Sequence, residues 1–158
     1  MKNMTKVAIL GSTGYVGMEL VEILSKHENV NINFLGSDSV QNKYLKNITD
    51  KKEYSNLPLL QNNKIFDASM SDYVFLALPH SVSNQFVKNI FGKIKIIDLS
   101  ADFRLDNILT YCKNYGNDHS CDEYLKDFVY GLAEINKLDI SNANNIAVPG
   151  CYPTSVLL

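Results

Sequence analysis

The chain has 158 residues, 46% hydrophobic and 20% charged, proportions that fit one globular domain with a substantial core and exclude a disordered tail, a fibrous repeat or a second full domain. Its 15 Lys and Arg against 17 Asp and Glu give a net charge of -2, which leaves no cationic field for nucleic acid or an anionic membrane and points to a small-molecule partner. No apolar run nears the roughly 18–20 residues that span a bilayer, and the first ten residues show no secretory signal, so the cytoplasm is the expected compartment.

Val7–Leu10 is a short apolar run stopped by Gly11, the pattern of a parallel strand buried on both faces. From Tyr15 to His27, Val16, Leu20, Val21, Ile23 and Leu24 recur at helical spacing while Glu19 and Glu22 take the other side, which predicts a helix. Val30–Leu35 alternates Val30, Ile32 and Phe34 with asparagines and stops at Gly36; this second strand completes a βαβ unit. Residues 38–63, rich in Lys, Asn and Asp, read as a loop with one short element around Tyr44–Ile48. Tyr73–Leu78 and Ile94–Leu99 predict two more strands, joined by a helix over Val82–Ile90 with Phe86, Val87 and Ile90 inward. A polar stretch over 106–127 follows, and order returns at Phe128–Leu132 and Ile146–Val148. A last helix opens near Cys151 and is still apolar and uncapped at Val156, Leu157 and Leu158, which suggests a truncated chain. The alternation predicts an α/β fold: a Rossmann-like, doubly wound, mostly parallel sheet with helices on both faces.

Gly11, Gly14 and Gly17 make GSTGYVG between a strand and a helix, where backbone amides and the helix dipole can hold a pyrophosphate. At the end of the second strand stand Ser37, Asp38 and Ser39. Asp38 could accept from a free ribose 2′-hydroxyl and select NAD, whereas Ser37 and Ser39 could donate to a 2′-phosphate if Asp38 turns outward. Cys112, Cys121 and Cys151 are odd in number and lack a CxxC pair, which fits neither a disulfide framework nor a zinc site, and no metal is expected. Cys151, between Pro149–Gly150 and Tyr152–Pro153, falls where a helix begins, a position that favours the thiolate nucleophile. His80, just past a strand end, is placed to touch cofactor or substrate. Arg104 is the single Arg in the chain; its planar fork suits a phosphate or carboxylate, and the competing role is a salt bridge to Asp98 or Asp102.

Taken together, GSTGYVG (Gly11–Gly17), FLALPHSVS (Phe75–Ser83), IDLSADFRL (Ile97–Leu105), YGLAE (Tyr130–Glu134) and PGCYPT (Pro149–Thr154) resemble, in content and order, the N-acetyl-gamma-glutamyl-phosphate reductase family of arginine biosynthesis. The resemblance implies NADPH-dependent reductive dephosphorylation of N-acetyl-L-glutamyl 5-phosphate to the 5-semialdehyde through a thioester on Cys151. It implies NADP contacts from Gly11, Ser12, Thr13, Gly14, Tyr15, Val16, Gly17, Ser37, Ser39, Leu78, Pro79 and His80, and substrate contacts from Arg104 and Ser100. Ser81 stands where the family usually has Gly, and Ala133 where it usually has Pro. Family members continue past PGCYPT into a substrate and dimerisation domain that carries the acid/base histidine. Residues 1–148 are therefore expected to form the dinucleotide-binding domain and 149–158 the start of a catalytic domain, in a full-length form that is a homo-oligomer and without which the fragment is inactive. The alternatives are a stand-alone dinucleotide-binding module without catalysis and the related aminoadipyl-phosphate reductase of lysine biosynthesis.

Overall fold

The structure is a computed structural model that describes residues 4–49, 51–115 and 119–158. The chain forms two compact units, Met1–Ala77 and Leu78–Leu158.

The first unit contains β1 (Thr5–Leu10), α1 (Tyr15–Ser25), β2 (Val30–Gly36), α2 (Lys46–Thr49), β3 (Leu60–Gln61) and β4 (Tyr73–Leu76). Its strands run parallel in the order β3-β2-β1-β4, with Val7 opposite Ile32 on one side and Tyr73 on the other. Strands of a parallel sheet are buried on both faces by the connections that cross over them, and the last four residues of β1, Val7–Leu10, are all buried. On α1 the buried residues are Gly17 and Val21, with Met18, Leu20 and Leu24 packed partly against the core. Val16 and Ile23, expected inward, are exposed. The helix ends at Ser25, two residues short of the expected His27.

Residues 38–63 hold more structure than a loop. Leu45, Tyr54 and Leu60 from this stretch are fully buried in the cluster around Val7, Ile9 and Val21, and the Tyr54 hydroxyl donates to Glu22 Oε2 on α1 at 2.6 Å. Glu22 also pairs with Lys26 and Lys51, and these partners, Lys26 first, hold its carboxyl down to about 2.

The second unit contains α3 (Ser83–Ile90), β5 (Lys95–Asp98), α4 (Ile108–Tyr115), β6 (Val129–Tyr130), α5 (Ala133–Asn142), β7 (Asn145–Ala147) and α6 (Cys151–Leu157). Its strands are again parallel, in the order β5-β7-β6, with Ile96 opposite Asn145 and Val129 opposite Ile146. The fold class is the expected one: α/β, with every ladder in each unit parallel. The strands are shorter than their apolar runs, because Leu78–Pro79 and Leu99 already belong to the turns that follow β4 and β5. Two helices, α4 and α5, were not foreseen. Among the described residues, no helix is long and apolar enough to cross a membrane.

Candidate active site

In the first unit β1 hands the chain to the glycine loop. Gly11 takes φ +77°, a conformation that a side chain would strain, and its carbonyl accepts the Gly14 N–H at 3.1 Å. Gly14 is then the extended N-cap of α1, which has no side-chain cap and no acidic residue in its first turn. A helix start of this kind leaves N–H donors and positive dipole charge for an anion. A Cβ on Gly17 would lie 2.1 Å from the Gly11 carbonyl oxygen and 2.8 Å from Ser12 Cα, so only glycine lets α1 come this close to the loop. Tyr15 is 98% exposed at the first helical position. The uncapped amides of this helix start fit the pyrophosphate of a dinucleotide.

Ser12 follows Gly11 in the loop. It is fully buried, and both its N–H and its hydroxyl donate to the Gly36 carbonyl, at 2.8 and 2.9 Å, so it joins the loop to the end of β2. Thr13 faces the other way: its Oγ1 lies 2.8 Å from Ser37 Oγ and 3.4 Å from Ser39 Oγ, and the two serines are 3.3 Å apart. Ser37 Oγ also accepts the Val40 N–H. Three hydroxyls thus gather beside the loop, while Asp38 is exposed.

In the second unit the turn after β5 is organised by buried carboxylates. The Asp102 carboxylate accepts the N–H groups of Ser81 and Asn84, each at 3.0 Å, and the Tyr111 hydroxyl at 2.9 Å. Asp102 thereby caps α3 and fixes α4. Ser100 Oγ donates to Asp98 Oδ2 at 2.7 Å and accepts the Asp102 N–H at 3.0 Å. It is 2% exposed, and its hydroxyl is engaged inside the turn. Burial pushes the Asp98 carboxyl up to about 6 although Ser100 donates to it twice.

Arg104 makes neither of the competing salt bridges, to Asp98 or to Asp102. Its Nε donates to the Val148 carbonyl at 2.8 Å and its Nη2 to the Leu99 carbonyl at 3.0 Å, bracing the ends of β7 and β5. Its Nη1 lies against Gly150, where a Cβ would be 3.0 Å away. Gly150 is the N-cap of α6, and Cys151 opens that helix with its thiol exposed. Cys121 is the opposite case: it is buried, and burial pushes its thiol up to about 12. Leu78, Pro79 and His80 also belong to this unit, with Leu78 buried and the other two exposed. His80 Nδ1 accepts the Ala101 N–H at 3.1 Å, which puts the ring proton on the exposed Nε2.

The family model for the NAD-binding domain of semialdehyde dehydrogenase matches residues 6–143. The chain belongs to this family. The semialdehyde dehydrogenase match covers the glycine loop, the hydroxyl cluster, His80 and Arg104. Among curated relatives, N-acetyl-gamma-glutamyl-phosphate reductase of Ehrlichia canis is 43% identical over all of this chain and 46% of its own length. A chloroplastic protein of Arabidopsis thaliana, named as a probable N-acetyl-gamma-glutamyl-phosphate reductase, is 38% identical over 97% of this chain and 38% of its own. The chain thus spans less than half the length of these relatives. Among solved structures, aspartate semialdehyde dehydrogenase II of Vibrio cholerae superposes with a TM-score of 0.71 at 23% identity, over 98% of this chain and 44% of that one; it establishes the fold.

In this semialdehyde dehydrogenase domain, the sequence signals single out the loop and Cys151 but not three supports. Asn63 accepts the Gly11 N–H from a stretch read as loop. Asp102 and Tyr111 carry no spacing signal, because their partners are 9 to 21 residues away.

Proposed function

We propose that the chain is the cofactor-binding and nucleophile-bearing part of an oxidoreductase that converts N-acetyl-L-glutamyl 5-phosphate to N-acetyl-L-glutamate 5-semialdehyde with NADPH. The observation that carries this reading is the exposed Cys151 thiol at the opening of α6, in a chain whose 38–43% identical relatives bear that enzyme's name. In this reading the Cys151 thiolate adds to the acyl carbonyl carbon, the bond to the phosphate oxygen breaks, and inorganic phosphate leaves a thioester. Bound NADPH would supply the hydride equivalent for taking the thioester to the aldehyde, with Cys151 regained as the thiolate. Backbone amides at the start of α6 would stabilise the oxyanion that forms at the carbonyl. The Nη1 edge of Arg104 is the donor assigned to an anionic group of the substrate.

The glycine loop and the first turn of α1 would hold the cofactor pyrophosphate, with His80 presenting its Nε2–H donor to cofactor or substrate. Thr13 and Ser39, braced by the buried Ser37 hydroxyl, support NADP over NAD, since their hydroxyl groups can donate to a 2′-phosphate while Asp38 stays in solvent. Residues 1–148 are assigned to the dinucleotide-binding domain and 149–158 to the start of the catalytic domain of a cytoplasmic homo-oligomer.

The test is made on the full-length protein. Cys151→Ser should abolish acyl-phosphate-dependent phosphate release and leave NADPH binding intact, and NADPH should bind at least about tenfold more tightly than NADH. Retained turnover in the serine variant sinks the thioester route, and equal affinities remove the NADP assignment.

A further inference from the structure

Asn63 is 1% exposed, yet it lies in a short 3-10 turn, Asn63–Ile65, far along the chain from the glycine loop. Its Oδ1 accepts the Gly11 N–H at 3.1 Å across 52 residues. The end of β2 is shaped to admit it: a Cβ on Gly36 would stand 2.2 Å from Asn63 Oδ1. The turn is itself anchored. Asn62 Oδ1 accepts the Lys64 N–H at 2.9 Å, and Phe66, which follows the turn, packs its ring on Phe34 of β2 with centroids 5.1 Å apart.

We propose that Asn63 is a positioning residue for dinucleotide binding, which sets the orientation of the glycine loop through the Gly11 amide. The proposal rests on the cofactor reading above. The Asn63 bond fixes the peptide plane that enters Gly11, a residue at φ +77° with no side chain to restrain it. The far side of Gly11 carries the carbonyl that accepts the Gly14 N–H and against which Gly17 of α1 packs. A rotation at Gly11 therefore displaces the N-cap and first turn of α1, the groups assigned to the pyrophosphate. An amide suits the task because it offers an acceptor without a charge, whereas a carboxylate at the same place would repel the phosphates.

In the full-length protein, Asn63→Ala is expected to weaken NADPH binding about tenfold, the effect of an orphaned amide at the loop, and to raise KM for NADPH while kcat changes little. Asn63→Asp keeps the acceptor. It should also weaken NADPH, and the loss should shrink as salt is raised. Gly36→Ala should weaken binding in the native background and do much less in the Asn63→Ala background, where the amide it strikes is gone. If Asn63→Ala does not fold, the Asp and Gly36 variants decide. Variants that melt lower yet bind NADPH as tightly as the unmodified protein overturn the proposal and leave the cofactor reading standing. An unmodified protein that binds neither NADPH nor NADH overturns both.

Discussion

Ser81 sits at φ +64°, in the left-handed region where a side chain costs about 1 kcal/mol relative to glycine, and it occupies the position where the reductase family usually has Gly. Its N–H donates to Asp102, a bond that glycine would keep. Ser81→Gly is expected to raise stability by about 0.5–1 kcal/mol, read as a higher urea midpoint with an unchanged slope; a lower midpoint contradicts it. Asp98 gives a second test. Its folded carboxyl, at about 6 against an ordinary 3.8, holds a proton that the unfolded chain releases. The stability it allows is complete below about pH 4 and is lost as the pH rises through about 6. Asp98→Asn removes that titration while keeping an acceptor for the Ser100 N–H. The stability of the variant relative to the native protein should climb between pH 4 and 6 and level off above. Two curves that run parallel across this window would rule out Asp98 as the titrating group.

Between elements, Arg104 is the tie to break. Its two main-chain bonds hold the carbonyls that follow β5 and β7, and a lysine ammonium cannot reproduce that fork. Arg104→Lys is expected to destabilise the fold by about 1–2 kcal/mol in chemical denaturation. Unchanged stability with a raised substrate KM would instead make Arg104 a substrate ligand alone. The same bonds show what the sequence could and could not reveal. β1, α1, β2 and the glycine loop were legible because apolar runs, a helical stripe and glycine punctuation fall on consecutive residues. α5 was not: Ile135 and Leu138 are exposed, none of its residues is buried, and Asn136 breaks its helical geometry to donate to the Tyr130 carbonyl. α4 buries Tyr111 alone, so no stripe announces it. β3 is two residues long. The single Arg was legible as special, but its carbonyl partners, 5 and 44 residues away, follow from the topology and not from spacing.

At the scale of the whole molecule the groups of the proposed chemistry are divided: Met1–Ala77 holds the glycine loop and its hydroxyls, and Leu78–Leu158 holds Arg104 and Cys151. Acyl transfer through a thiol needs a base to take its proton and an acid for the aldehyde oxygen, contributions of about 10²–10⁴-fold. Among the described residues no histidine is hydrogen-bonded to Cys151. His119 is occupied at both ring nitrogens, accepting the Cys121 N–H at Nδ1 and donating from Nε2 to the Asp102 carbonyl. His80 is held at Nδ1 by Ala101, and His27 accepts the Asn29 N–H past the end of α1. The relatives, of which this chain spans 38–46%, have length for a further domain to supply that group. The 158 residues expressed alone are therefore expected to bind NADPH but to oxidise it, in the presence of acyl phosphate, at least about a hundredfold more slowly than the full-length protein. Absorbance at the nicotinamide band, followed together with phosphate release, reads the comparison directly. Turnover near that of the full-length protein would place the acid/base function within these residues, and His80, with its exposed Nε2, would be the first side chain to replace.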